Sequence, residues 1–314
     1  MITPLKVPRR LVVGDQVALV SPASPVRSAR VLALGRTRLE QFGLRVKPGR
    51  HALAEHGYLA GTDRERLHDL EAAFRDPDIK AIFCARGGYG VARLLPAFNL
   101  ELARRHPKPL IGFSDITVLH LALQHAGVIS FWGPMPCTSL GWSPFSARSL
   151  KRALMSEVPA GRVPFSSGRR PISLRRGIAQ GRVTGGTLSL LTSSLGTPYE
   201  VETRGRIVFL EDVDEEPFKV DRLLTQMIAA GKLCDAAGVA LGIFTGIHKR
   251  NCPGRLSLTM RDVFADHLLP LKVPVLRNVA VGHVTDQVTL PYGVAARMDA
   301  GAGTLTLLEA GVRA

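Results

Sequence analysis

Ser114 stands in the run Ile111-Gly112-Phe113-Ser114-Asp115-Ile116-Thr117. A buried strand leads in, the serine sits at the tip of a tight turn, and a helix leaves at once. That is the geometry of a nucleophile elbow. The free N–H groups at the start of such a helix can hold an alkoxide or an oxyanion beside the serine. Ser and Asp are also favoured helix caps, and on this segment alone capping is the commoner use. The run is not the GxSxG of α/β-hydrolases, because Ile116 occupies the place of the second glycine.

Three further constellations carry chemistry. Arg86-Gly87-Gly88-Tyr89-Gly90 follows a strand. It begins like a dinucleotide fingerprint, but Arg93 stands at the third glycine position and the fingerprint fails. Its glycines either let backbone N–H groups approach a reacting carbonyl or serve a turn that needs positive φ. Glu211-Asp212-Val213-Asp214-Glu215-Glu216 packs five acids into six positions at a strand end. Such a run can bind a divalent cation, and is more often a solvated loop. Glu211 directly follows the strand and is placed to orient a histidine. His283, after Gly282 at an apolar strand end, needs a nucleophile on one side and an acid on the other to act as a base. Ser114, Glu211 and His283 follow in the order nucleophile, acid, base, each at a predicted strand end, where α/β sites gather.

His51-Ala52-Leu53-Ala54-Glu55-His56 echoes a zinc-protease HxxEH motif, with one residue too many between the first His and the Glu, and is set aside. Cys84, Cys137, Cys234 and Cys252 form no CxxC pair. They read as free thiols in a reducing compartment with no zinc site, and Cys84 lies in an apolar run, as a buried thiol would. No metal and no cofactor is expected.

The elements that must position these residues alternate. Leu11–Ser21, Leu44–Pro48, Ala81–Ala85 and Pro109–Phe113 read as strands. Val31–Phe42, Asp63–Phe74 and Thr117–Gln124 read as helices, with Leu67, Leu70 and Phe74 at helical spacing. Strand and helix in alternation predict a parallel sheet wound on both faces. The pattern lapses between Ser143 and Arg176. Beyond it, Arg206–Leu210, Gly238–Phe244 and Val273–Leu276 read as strands, Val220–Ala230 as a helix, and Ala295–Leu308 as short alternating strands. This predicts an N-terminal α/β domain over 1–145, a connection over 146–176 and a β-rich C-terminal domain over 177–314.

At 314 residues with 46% hydrophobic content the chain buries a sizeable core, which excludes disorder as its main state. The net charge of +15 raises nucleic acid as a partner. The basic residues are scattered and aromatics are only 6%, so the charge reads as compositional bias rather than a footprint. Lys6, Arg9 and Arg10 precede an apolar stretch in weak imitation of a signal peptide, but Asp15 interrupts it, and the expected location is cytoplasmic. No apolar run reaches the roughly 18 residues of a membrane helix.

Several segments occur together in a fixed order. They are Gly61-Thr62-Asp63 with Arg66, Asp76–Ile82, Ala85–Gly90, Gly112–Thr117, Gly133-Pro134-Met135, Leu210-Glu211-Asp212, Asp221-Arg222 and Gly282-His283. In this combination, over nearly the whole chain, the sequence resembles the LD-carboxypeptidase family of serine peptidases. The resemblance implies a flavodoxin-like N-terminal domain, a smaller β-rich C-terminal domain and a Ser-His-Glu triad across their interface. The family's nucleophile falls on Ser114, its acid on Glu211 and its base on His283. Its oxyanion donors fall on the N–H groups of Gly88 and Asp115. It further implies release of a terminal D-Ala that follows an L-centre, in cell-wall peptides during murein recycling, with no metal and usually as a homodimer. Two segments depart from the family pattern and bear on the substrate. Trp132 precedes Gly133-Pro134-Met135 where the family often has His, and Thr187 follows Gly185-Gly186 where it often has Asn.

The expected reaction has His283 take the proton of Ser114 while Glu211 holds the imidazole tautomer. Arg86 is the expected partner of the substrate's free carboxylate, as a bidentate donor; its rival role is to hold the glycine loop. Two alternatives from the same cleft are a peptidase acting on another amide, such as a peptidyl-nucleotide antibiotic, and a muropeptide-binding protein without turnover.

Overall fold

The computed structural model describes residues 5–140, 142–166, 168–247 and 257–314. Cys252 lies outside the described residues. The chain forms two compact units. The first comprises Met1–Ala160, Thr285–Val294 and Glu309–Ala314; the second comprises Gly161–Val284 and Ala295–Leu308.

In the first unit the order is β1 Gln16–Val20, α1 Ala29–Glu40, β2 Arg45–Pro48, α2 Asp63–Arg75, β3 Ile79–Cys84, α3 Leu100–Arg105, β4 Leu110–Gly112, α4 Thr117–His125, β5 Phe131–Trp132 and α5 Pro144–Met155. The five strands pair in parallel in the order β2-β1-β3-β4-β5. This is the strand order of a flavodoxin-like doubly wound sheet, whose ligands bind beyond the carboxyl ends of the strands. The central strands are continuous apolar runs, as strands covered on both faces must be. Leu19 registers with Phe83, Phe83 with Ile111, and Ile111 with Phe131. All four side chains are buried.

Local sequence explains the helices. A capping box between Thr62 and Glu65 starts α2. Its buried stripe, Arg66, Asp69, Leu70, Ala73 and Phe74, has helical spacing. Burying Leu70 and Phe74 contributes about 1.5–3 kcal/mol each. Ser143 caps α5, with Pro144 in its first turn. This helix occupies part of the stretch in which the sequence pattern lapsed. Arg148, Lys151 and Arg152 dilute its apolar face to Leu150, Ala153 and Leu154, which are buried.

The second unit carries β6 Gly161–Arg162, β7 Ile172–Arg175, β8 Ile178–Thr187, α6 Leu188–Ser193, β9 Ile207–Glu211, α7 Pro217–Ala229, β10 Gly238–Leu241, α8 Met260–Leu268 and β11 Val275–Arg277. The chain then gives β12 Leu290–Pro291 to the first sheet, antiparallel to β5, and returns for β13 Ala295–Asp299 and β14 Thr304–Leu307. The second sheet runs β6-β14-β13-β8-β9-β10-β11-β7. Strands β8 to β11 are parallel and the flanking pairs antiparallel. The result is an α/β chain with a doubly wound first sheet and a smaller, β-rich second unit. Gly185 is required where β8 closes on β9, because a Cβ there would lie 2.0 Å from the Phe209 carbonyl oxygen.

Candidate active site

The first constellation lies beyond the carboxyl ends of β1, β3 and β4. Phe113 leaves β4 extended, and Ser114 then takes φ 62° before a single 3₁₀ turn feeds α4. A non-glycine residue in this left-handed region costs about 1–3 kcal/mol and clusters at functional sites. The glycine loop after β3 lies against it. A Cβ on Gly87 would stand 2.9 Å from Ser114 Cβ, 3.0 Å from its Oγ and 3.4 Å from the Asp115 nitrogen. Gly88 adopts φ 120°, and a Cβ there would strike the Ser24 side chain. Gly88 is an exposed residue, and among the described residues its N–H has no hydrogen-bond partner, while that of Tyr89 donates to Ser24 Oγ at 3.1 Å.

Side chains hold this arrangement from behind. The Asp115 carboxylate accepts the Val91 N–H at 2.9 Å, which ties the elbow to the glycine loop. Burial pushes its pKa up to about 6, against that hydrogen bond and the Arg66 charge. Arg66 is buried and donates to the carbonyls of Pro22 (2.5 Å) and Gly90 (2.9 Å) and to Asp63 (2.5 Å). It thereby joins the loops after β1 and β3. Asp63 also receives a fork of hydrogen bonds from Arg93. His120 on α4 sets its Nε2 2.9 Å from the carbonyl of Gly112 and its Nδ1 2.8 Å from Ser130 Oγ. A carbonyl only accepts, so Nε2 carries the proton and Nδ1 accepts from the hydroxyl. Burial lowers this imidazole to about 4, so it is neutral.

Arg86 is half-buried and donates to the Pro25 carbonyl at 3.2 Å. Burial, and next the charge of Arg27, pull its guanidinium below the ordinary value. Trp132 is buried, its ring 5.7 Å from that of Phe113, so this departure from the family pattern packs under the residue before the serine.

The second constellation belongs to the other sheet. Glu211 ends β9 and is fully buried. Its Oε2 lies 2.9 Å from His283 Nδ1, and its Oε1 accepts the Thr187 hydroxyl at 2.6 Å. Thr187 ends β8 in register with Glu211. Gly242 and Gly282 leave room for the carboxylate, since a Cβ would lie 3.0 Å from Glu211 Cβ and 3.2 Å from its Oε2 respectively. A carboxylate only accepts, so His283 donates from Nδ1 and keeps Nε2 as its basic nitrogen. Burial alone would lower the His283 pKa. The Glu211 hydrogen bond and the charges of Glu211, Asp212 and Asp214 outweigh it, and the pKa is raised.

The remaining acids of the run disperse. Asp212 accepts from the Ser189 and Val213 N–H groups at 2.8 and 2.9 Å. Burial, then Glu211, push it up to about 6. Glu215 and Glu216 pair with Lys219 at 3.6 and 3.7 Å. This distribution is that of capping and surface pairing, not of a cation cage.

The structure thus joins Glu211 with His283 in the second unit, and Ser114, Asp115, Arg86 and the glycine loop in the first. Sequence reasoning noted Thr187 only as a departure and did not single out His120. Thr187 had one signal in the sequence, its place at a strand end after Gly185-Gly186; that it lies level with Glu211 is set by the pairing of β8 with β9. His120 had a weaker signal, a lone His three residues into an apolar helix.

Two family models match the chain: the LD-carboxypeptidase N-terminal domain over residues 17–133 and the LD-carboxypeptidase C-terminal domain over 180–298. A probable murein peptide carboxypeptidase of Bacillus subtilis (strain 168) is 40% identical over 313 residues, covering 97% of this chain and 95% of that one. The murein tetrapeptide carboxypeptidase of Pseudomonas aeruginosa is 34% identical over 296 residues, covering 91% and 94%. Among solved structures, MccF in complex with glutamyl sulfamoyl guanosine superposes with a TM-score of 0.88 at 23% identity, covering 98% and 99%. That likeness speaks for the fold.

Proposed function

The chain belongs to the LD-carboxypeptidase family and is a peptidase, and from that premise we propose that it releases the C-terminal D-Ala of murein tetrapeptide in cell-wall recycling. The observation that carries the reading is His283 held at Nδ1 by a fully buried Glu211, with a strained serine elbow on the other sheet. Ser114, Glu211 and His283 form the catalytic triad in this reading. Nε2 of His283 takes the Ser114 proton as Oγ attacks the carbonyl before the terminal D-residue. The N–H groups of Gly88 and Asp115 receive the tetrahedral oxyanion, each worth about 3 kcal/mol. His283 returns the proton to the departing amine, and water then releases the acyl group from Ser114. Arg86 neutralises the substrate's terminal carboxylate.

The murein substrate is favoured because the relatives at 40% and 34% identity over nearly the whole chain bear murein names. A second reading has its own observation: a structural neighbour holds a glutamyl sulfamoyl guanosine, so a peptidyl-nucleotide amide is the competing substrate. The same reading makes the protein a cytoplasmic homodimer, to be checked by fractionation and by light scattering. No helix among the described residues is long and apolar enough to cross a membrane.

The test is D-Ala release from L-Ala-γ-D-Glu-meso-diaminopimelate-D-Ala by wild type and by Ser114→Ala. Release by wild type alone supports the reading. A folded wild type that leaves the tetrapeptide intact but cuts a glutamyl nucleotide amide moves the substrate to the second reading. A protein that binds tetrapeptide and cuts neither is a binding protein.

A further inference from the structure

His51 lies in the turn after β2, seventeen residues before His68 on α2, and both meet the carboxylate of Asp69. His51 Nδ1 is 2.9 Å and His68 Nδ1 3.3 Å from Asp69 Oδ1. The two rings are 5.5 Å apart and nearly perpendicular. A ligand atom from each of the three residues lies within 4.8 Å of the others. Asp69 is buried, and its Oδ2 is fixed by the His51 N–H at 2.7 Å. A Cβ on Gly49 would fall 2.4 Å from that oxygen, so the turn has closed on the carboxylate.

We propose that His51, His68 and Asp69 form a binding site for a divalent transition-metal ion such as Zn²⁺, separate from the peptidase chemistry. Bonds of 2.0–2.1 Å in a tetrahedron set neighbouring ligands about 3.3 Å apart, close to the two nitrogen–oxygen distances present. The ion takes the Nδ1 lone pair of each neutral imidazole, whose one proton then sits on Nε2; a ring that was protonated releases one proton to solvent. Two imidazoles and one carboxylate are the donor set of borderline metals such as Zn²⁺, rather than of Mg²⁺ or Ca²⁺. A second observation points to a ligand. His68 and Asp69 help to line a cavity of about 220 Å³ that also carries Lys47, Arg50 and Asp76. It gives room for the water that completes an open tetrahedral site. The cavity shares no residue with the loops that carry Ser114 and Gly88. His56, the second His of the discarded HxxEH echo, is not part of the cluster.

The site has a structural consequence. The turn bearing His51 opens the segment that reaches Leu59 and Ala60. Ala60 N–H donates to the Ala23 carbonyl at 2.9 Å, and Leu59 blocks the space a Cβ on Gly90 would take. A bound ion ties this segment to α2.

Co²⁺ titration of the tag-free full chain, followed by visible absorption and displaced by Zn²⁺, tests the proposal. Expected is saturation at one ion per chain, bound about tenfold or more weakly in His68→Gln. Binding weakens as pH falls and the imidazoles take up protons. Zn²⁺ raises the melting temperature of wild type but not of His68→Gln, and D-Ala release is the same in both. His68 is more than half exposed, so this variant keeps its fold, which circular dichroism checks. Asp69→Asn is a second loss-of-binding variant. No saturable Co²⁺ signal, a signal unchanged in His68→Gln, or one dominated by thiolate charge transfer from cysteine overturns the proposal.

Discussion

The Nδ1 of His283 lies 2.9 Å from Oε2 of Glu211, and the other oxygen of that carboxylate is closed by Thr187. Both carboxylate oxygens are therefore committed, and the imidazole has one tautomer, in which Nε2 is the basic nitrogen. Glu211→Gln presents an amide that can bond the wrong tautomer. We expect kcat to fall about 10⁴-fold with KM little changed, the scale of a triad carboxylate made an amide. Steady-state kinetics showing a loss under tenfold would remove Glu211 from the triad.

The same pairing sets a pH dependence. His283 must be neutral to accept the Ser114 proton, and its pKa is raised above the ordinary imidazole value. The rising limb of kcat/KM is expected above pH 6.5, the usual histidine value. Thr187→Val leaves Oε1 of a buried carboxylate without that donor and is expected to shift the limb further. A limb below pH 6 in wild type contradicts the assignment of the base.

Gly87 is sterically bound to the nucleophile. Gly87→Ala places a Cβ 2.9 Å from Ser114 Cβ, so the serine or the loop must move. Displacement of about 1 Å can cost on the order of 10²-fold in rate. We expect kcat to fall by that order while the melting temperature changes by only a few degrees. Unchanged kcat shows that the glycine serves the turn alone.

Ser114 stores strain that a glycine would release. Ser114→Gly is expected to be about 1 kcal/mol more stable than Ser114→Ala, because only glycine takes φ 62° without steric cost. Neither variant turns over. Denaturant unfolding of the two decides it, and equal midpoints at equal m-values contradict the strained elbow.

His120 links stability to pH. Its folded pKa is lowered to about 4, so its contribution is present above the unfolded value and is lost as pH falls toward 4. Complete loss amounts to roughly 3 kcal/mol. Asp115 and Asp212, each pushed up to about 6, slope the opposite way, so the difference between wild type and His120→Gln is the quantity to measure. That difference should shrink as pH drops from 7 to 4. A constant difference assigns His120 a packing role only.

Much of the site was legible because its residues sit at strand ends, where an apolar run meets a turn. Ser114 after Pro109–Phe113 and Glu211 after Arg206–Leu210 are such cases, and the order of motifs identified the family. Less was legible where the determinant is distant in sequence. The pairing of Leu290–Pro291 with Phe131–Trp132 leaves no local signal in a two-residue strand. Helix α5 is obscured by its basic residues, and α8 is marked in the sequence by little more than its Thr259–Asp262 capping box. The hydroxyl of Thr187 meets Glu211 only because β8 and β9 are parallel and in register, and one strand's sequence does not state its neighbour.

We propose one triad built from Ser114, Glu211 and His283. It is tested most directly by the rate and site of labelling with a fluorophosphonate, read by intact-mass and peptide mass spectrometry in wild type and in His283→Ala. We expect one adduct per chain on Ser114 in wild type, and labelling at least about 10²-fold slower without the base. Labelling at another residue, or at the same rate in both proteins, would contradict it.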